Sequence, residues 1–160
     1  MTDSNPTSDI HFVGYRIGDT LCLSPSTTII TIDELPRHLC QMPGTKPWLL
    51  GAGRLGRQLV PFINVTRFLN INRTSASKTA YTAICVKGNE STGDVGLVVD
   101  EVTEFVRASE LRDYNGDGMK IPPGLGKSMR RAVTARGRTW ALIDLRALIA
   151  DEKLQTVDLI

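Results

Sequence analysis

Apolar residues at every second position mark where the ordered part of the chain begins. In IHFVGYRI (10–17) Val13, Tyr15 and Ile17 alternate with other residues, GDT interrupts, and LCLSP resumes, the pattern of two short strands joined by a tight turn. TTIITI (27–32) is β-branched throughout and predicts a third strand. DELPRHLCQMPG (33–44) has prolines near both ends and no clean period, so it reads as an exposed connection. The stretch from Pro43 to Leu69, PGTKPWLLGAGRLGRQLVPFINVTRFL, organises the rest. Gly51, Gly53 and Gly56 permit positive φ and close backbone approach, while Leu59, Val60, Phe62, Ile63 and Val65 supply core. Leu59, Pro61, Ile63 and Val65 share one face of this strand and Val60 and Phe62 the other, so both faces are expected to be covered. Pro61 cannot donate to a ladder and is expected at an edge or a bulge, and a turn of helix follows through Thr66 to Leu69.

Beyond this stretch, NINRTSASK (70–78) is a polar linker, after which the β pattern returns in TAYTAICVKG, GLVVDEV and TEFVRAS. NESTGD (89–94) is the expected hairpin loop between the first two. RDYNGDGMKIPPGLGK (112–127) is rich in glycine and proline and predicts a long loop. MRRAVTARGRTWALIDL then reads as a last hairpin turning at Arg136 to Arg138. Asp144 is placed to cap a terminal helix whose Leu145, Leu148 and Ile149 fall at i, i+3 and i+4. Eight to ten short strands with one clear helix predict a mainly β protein built from small barrels. Residues 1–9 read as a flexible tail and 10–160 as a single domain of two barrel subdomains, with the linker near 70–78 between them.

At 160 residues the chain can bury an ample core without staples. Nineteen Lys and Arg against seventeen Asp and Glu give a formal charge of only +2, which disfavours nucleic acid as a partner unless basic groups cluster. Cys22, Cys40 and Cys85 are odd in number and widely spaced, the usage of buried free thiols in a reducing compartment. The N-terminus has no basic segment leading into an apolar one, and no apolar run reaches a membrane span, so a cytoplasmic protein without direct membrane insertion is expected.

Chemistry-bearing motifs are few. Gly51, Gly53 and Gly56 spell G-x-G-x-x-G, but a β-like run broken by Pro61 follows where a nucleotide site needs a helix N-terminus, and no acid stands some twenty residues on. Asp113, Asn115, Asp117 and Gly118 begin like a calcium loop, yet its twelfth position is Gly124 in place of a bidentate Glu. Neither His11 nor His38 lies near a Cys or a serine in a recognisable nucleophile setting, and Asp100 and Glu101, adjacent on a strand, are expected to point to opposite faces. No catalytic, metal or cofactor set is expected. Arg130, Arg131, Arg136 and Arg138 flank the last hairpin without interleaved aromatics and read first as a solvated face, and second as a nucleic-acid patch. Arg54 and Arg57 sit on a glycine-rich segment beside buried strand, a rigid base for recognition by a forked guanidinium.

Pro47, Trp48, Gly51, Leu55, Pro61 and Val65, with GLVVDEV (96–102) and the closing WALIDLRALI, resemble the CheW family of chemosensory coupling proteins, over about Phe12 to Ile149. The spacing of QMPGTKPW and the short RFLN are most similar to the branch serving type IV pilus twitching motility. The resemblance implies two SH3-like five-stranded β-barrels sharing a core, with a C-terminal helix. It further implies a non-enzymatic cytoplasmic adaptor that joins a methyl-accepting chemoreceptor to the regulatory domain of a CheA-type histidine kinase. By that resemblance Asp33, Arg54, Leu55, Arg57, Val99 and Asp100 lie near the partner contacts. Three positions depart from the family pattern: Arg54 stands for its Asn, the Arg-Gly pair is inverted to Gly56 and Arg57, and Asn64 stands for its Asp. Displacing an arginine by one residue on a strand sends it to the opposite face unless a turn or bulge compensates. The alternative from another class is a double-barrel nucleic-acid-binding module using the arginines of the last hairpin.

Overall fold

The computed structural model describes residues 10–71 and 82–156, and within them eleven strands form two sheets. β1 (His11–Ile17) and β2 (Thr20–Pro25) form the first hairpin, as the alternation predicts. A 3-10 turn leads into β3 (Ile29–Glu34), β4 (Leu49–Leu55), β5 (Gln58–Asn64), β6 (Thr82–Val86) and β7 (Val95–Val99), which make the second sheet. The chain then returns to the first sheet with β8 (Glu101–Arg107), β9 (Arg112–Tyr114), β10 (Met129–Ala135) and β11 (Arg138–Ile143). The first sheet has the order β8-β1-β2-β11-β10-β9 and the second β3-β6-β7-β5-β4. The mainly β expectation holds, with one difference. The first sheet has six strands, because β9 pairs with β10 inside the stretch read as loop. Arg112, Asp113 and Tyr114 carry too little apolar character to register as a strand by pattern alone.

The described residues also hold four short α-helices, α1 (Val65–Phe68), α2 (Pro123–Gly126), α3 (Leu145–Ile149) and α4 (Glu152–Gln155). Asn64 Oδ1 caps α1 by accepting from the Arg67 N–H at 3.1 Å, and Asp144 Oδ1 caps α3 by accepting from the Ala147 N–H at 3.1 Å. The expected terminal helix is thus two pieces, α3 burying Leu145, Leu148 and Ile149 and α4 burying Leu154. The expected tail (1–9) and nearly all of the expected linker lie outside the described residues.

Three apolar clusters hold the sheets. The largest lies between them, joining Val13, Tyr15 and Ile17 of β1 to Ile63, Ile84 and Leu97 of the second sheet and to Leu148 of α3. A second packs on the first sheet around Trp140, whose indole N–H donates to the Ala135 carbonyl at 3.0 Å. A third fills the second sheet around Phe62, Val60 and Val98. Leu35 and Leu39 pack on this third cluster, so the connection expected to be exposed is partly pinned down, and the Cys40 N–H and C=O both pair with Ala52. Tyr15 is wholly buried. Its hydroxyl meets Ser24 Oγ at 2.8 Å, and Ser24 in turn donates to the Ile143 carbonyl at 2.8 Å, tying β1, β2 and β11 with no polar atom wasted. Burial raises the Tyr15 phenol well above its ordinary range.

The chain returns from the second sheet to the first through a single residue, Asp100, between β7 and β8. Its N–H donates to the Arg16 carbonyl at 3.1 Å, and its Oδ2 accepts from the Gly18 N–H at 2.6 Å with Thr66 Oγ1 at 3.5 Å. One carboxylate therefore joins the β1–β2 turn to α1. Glu101 beside it is exposed and meets Arg16 at 3.5 Å, so the two acids do point apart.

The glycines of the organising stretch serve packing. A Cβ on Gly53 would stand 2.8 Å from the Phe62 ring, and one on Gly96 would stand 2.4 Å from it. We therefore expect Gly96→Ala to lower stability by about 1–3 kcal/mol in denaturant unfolding. The loss should shrink in a Phe62→Leu background, as contacting residues are coupled; equal losses in both backgrounds would contradict the packing described. The thiols divide: Cys22 and Cys85 are buried, whereas Cys40, expected to be buried, is exposed on the connection. Burial, then the nearby Asp33 and Asp94 charges, raise the Cys85 thiol to about 11. In native protein at about pH 8, alkylation followed by peptide mass mapping should modify Cys40 alone, with Cys22 and Cys85 reacting only after unfolding.

Candidate functional site

β4 and β5 pair from Leu49↔Ile63 to Leu55↔Gln58, and the two-residue turn between them is Gly56-Arg57. Gly56 has φ 63°, which suits a type II′ hairpin with glycine first. The inversion of glycine and arginine relative to the family pattern thus places glycine where positive φ is required and arginine at the exposed tip. A strand's faces alternate, and the register assigns each neighbouring side chain. Gly53, opposite Val60, and Leu55, opposite Gln58, face the interior cluster around Phe62, where Leu55 packs. Arg54, opposite Leu59, faces outward with it.

That outward face is only half covered. Ile63 is buried against the central cluster as expected, but Leu59 is 69% exposed and Pro61 is also exposed, which corrects the expectation of a strand covered on both sides. The central cluster, with Leu154 of α4, takes in Ile63 but leaves Leu59 and Pro61, nearer the turn, open. Pro61 lies in a strand flanked on both sides, yet its parallel pairing to β7 begins one residue later, at Phe62↔Gly96. Ala52, its partner on β4, sends both backbone groups away to Cys40. The missing N–H of Pro61 therefore faces a gap in the ladder, a local edge inside the sheet.

Two grooves border this face. An apolar one of about 300 Å³ is walled by Met42, Leu49, Leu59, Pro61 and Leu154. A second, of about 580 Å³, runs along the connection and is lined by Arg37, His38, Cys40 and Arg54. Leu59 and Ala52 belong to both, so Leu59 is the ridge between an apolar trough and a basic one. Arg54 rises beside that ridge, and Arg57 stands at the tip beyond it.

The remaining residues expected near partner contacts lie elsewhere. Asp33 is exposed on β3, at the other end of the strand order from β4, with its Oδ1 accepting from the Glu34 N–H at 2.8 Å. Val99 and Asp100 are 2% and 4% exposed, in the interior where the chain changes sheets. The structure brings Arg54, Leu55 and Arg57 onto one hairpin and leaves the other three apart. It adds Leu59, Pro61 and Met42, which sequence pattern assigned to core or connection; the one usable signal was Pro61, whose missing donor marks a break in cover.

The basic residues of the last hairpin are neutralised in place. Arg130 meets Asp144 at 2.6 Å, Arg131 meets Asp113 at 3.5 Å, Arg136 meets Glu104 at 3.1 Å and Glu110 at 3.0 Å, and Arg138 reaches Glu104 at 3.9 Å. The hydrogen bond from Arg136, followed by that from the Arg107 N–H, holds the Glu110 carboxyl below its usual range. The calcium-like turn is likewise self-satisfied, Asn115 donating to Asp117 Oδ2 at 2.9 Å. Among the described residues no three His, Cys, Asp or Glu side chains gather as metal ligands would, and no helix is long and apolar enough to cross a membrane.

A search of curated proteins finds no match for this chain. Among solved structures the fold is similar to the crystal structure of the scaffolding protein TtCheW from Thermoanaerobacter tengcongensis, with a TM-score of 0.69 at 16% identity, over 91% of this chain and 95% of that one. The family model described as the CheW-like domain matches residues 11–153, and the chain belongs to the CheW-like domain family.

Proposed function

We propose that the protein is a non-enzymatic adaptor of a chemosensory assembly in the cytoplasm, coupling a methyl-accepting chemoreceptor to the regulatory domain of a CheA-type histidine kinase. The observation that carries this reading is the outward face of the β4–β5 hairpin. An exposed Leu59 between two grooves, flanked by Arg54, lies within the stretch that resembles the family's signature. An apolar ridge beside a guanidinium is the composition of an interface anchor. Nothing in the described residues assembles the nucleophile, base and oxyanion donors that acyl or phosphoryl transfer needs.

In this reading Arg54 and Leu59 make the central contact with the kinase domain and Arg57 contributes from the rim. Leu55 anchors the hairpin from below, and Asp33 offers a negative charge to a second contact on β3. Val99 and Asp100 set the relation of the two sheets, and so the shape a receptor meets. Service to type IV pili belongs to the same proposal, carried by the resemblance of QMPGTKPW and RFLN. The nucleic-acid alternative is weaker, because the arginines it would use are already paired with carboxylates.

Binding of a CheA-type regulatory domain, followed by titration calorimetry, should weaken about tenfold or more in Arg54→Glu and in Leu59→Asp, and by only about threefold in Arg57→Asp. Circular dichroism melting curves should stay close to that of the unaltered protein, since these side chains are exposed. Unaltered affinity in both Arg54→Glu and Leu59→Asp would remove the hairpin face from the interface.

A further inference from the structure

A third concavity, of about 510 Å³, lies away from the β4–β5 turn, where the approach to β4 and α1 meet α2 and α4. Trp48 and Phe68 form its aromatic floor, their rings edge to face with centroids 5.3 Å apart. Lys46, Lys127 and Lys153 stand around it, and Asp151 is the one acid in its lining. Asp151 Oδ1 is engaged as the cap of α4, accepting from the Lys153 N–H at 2.8 Å. The arginines of the last hairpin all have carboxylate partners, but none of these three lysines forms an ion pair among the described residues. Lys46 Nζ instead lies 5.4 Å from the centre of the Trp48 ring. Arg67, on α1, adds a fourth positive charge nearby, its Nη1 donating to the Pro47 carbonyl at 3.4 Å.

The walls are rigid. Pro122 and Pro123 fix the entry to α2, and at Gly124 a Cβ would stand 2.7 Å from Leu69, so glycine lets α2 close against α1. The glycine- and proline-rich stretch that pattern left as a bare loop is in part the wall of this groove. Trp48 Nε1 is buried without an acceptor among the described residues, so its N–H is sensitive to any change in how the groove is filled.

We infer that this groove is a second docking site, separate from the hairpin face, for an acidic peptide segment of a partner protein carrying a bulky apolar side chain. The apolar side chain would lie on Trp48 and Phe68 while carboxylates on either side reach Lys46, Lys127 and Lys153. Three unneutralised ammonium groups around an aromatic floor attract that combination and repel its basic counterpart. A concave site suits a chain segment better than a flat lipid surface.

The test is a ¹H–¹⁵N correlation titration of the full chain with the synthetic hexapeptide Asp-Glu-Leu-Phe-Asp-Glu, its two indole signals assigned by Trp48→Phe. The Trp48 indole and the amides of Lys127 and Lys153 should move by about 1 mM peptide, the Trp140 indole should stay in place, and a Lys-Lys-Leu-Phe-Lys-Lys peptide should have no effect. The combined Lys127→Glu and Lys153→Glu variant, on exposed positions that leave the fold intact, should weaken binding at least about fivefold. The inference is overturned if the Trp48 indole does not move, if the charge-reversed variant binds equally well, or if vesicles of anionic phospholipid shift these signals while the acidic peptide does not. The hexapeptide experiment uses neither receptor nor kinase, so its failure leaves the hairpin interface standing.

Discussion

Phe62 occupies the space that Gly53 and Gly96 leave bare, and that fit fixes the register of β5 against both its neighbours. A side chain on either glycine would meet the ring at less than a normal contact distance, so the ring, the two glycines and the strand must be placed together. Because strand side chains alternate, seating Val60 and Phe62 inside forces Leu59 and Pro61 outside. The exposed ridge that we assign to partner binding is therefore the far side of a packing constraint. A slip of one residue would bury Leu59, expose Phe62 and erase both grooves.

Asp100 governs the second relation in the molecule. The chain leaves β7, buried along its length, and enters β8 in the other sheet, with only this residue between. A buried carboxylate is tolerable where hydrogen bonds satisfy it, and here Gly18 and Thr66 bring donors from two different elements. The central apolar cluster then has a defined distance and angle across which to close. The fold puts its polar interior into joining two sheets and leaves its surface to recognition, which is what an adaptor requires.

Much of this was legible in the residues. Alternation found β1 and β2 and Asp144 with Leu145, Leu148 and Ile149 found the capped helix, because there local pattern and burial agree; the β-branched run found β3 by strand preference, since none of its residues is fully buried. Pattern failed where cover comes from distant elements. Leu59 looks like core in sequence, but the central cluster takes in Ile63 and leaves Leu59 open, a fact of the tertiary structure that periodicity cannot carry. The same limit hid β9, whose residues qualify as strand only by pairing with β10, and the packing of Leu35 and Leu39 beneath an apparently exposed connection. Of the residues expected near partner contacts, Arg54 and Arg57 stood out by their glycine-rich setting and prove to share one exposed hairpin, whereas the burial of Val99 and Asp100 follows from the crossing between sheets, which no local feature announces.

The central claim is that the outward face of β4 and β5 is where the kinase docks. Hydrogen–deuterium exchange of this protein, alone and with a CheA-type regulatory domain, tests it most directly. The account predicts slowed exchange confined to residues 37–42 and 50–63. Slowed exchange in the β10–β11 hairpin, with residues 50–63 unchanged, would contradict it.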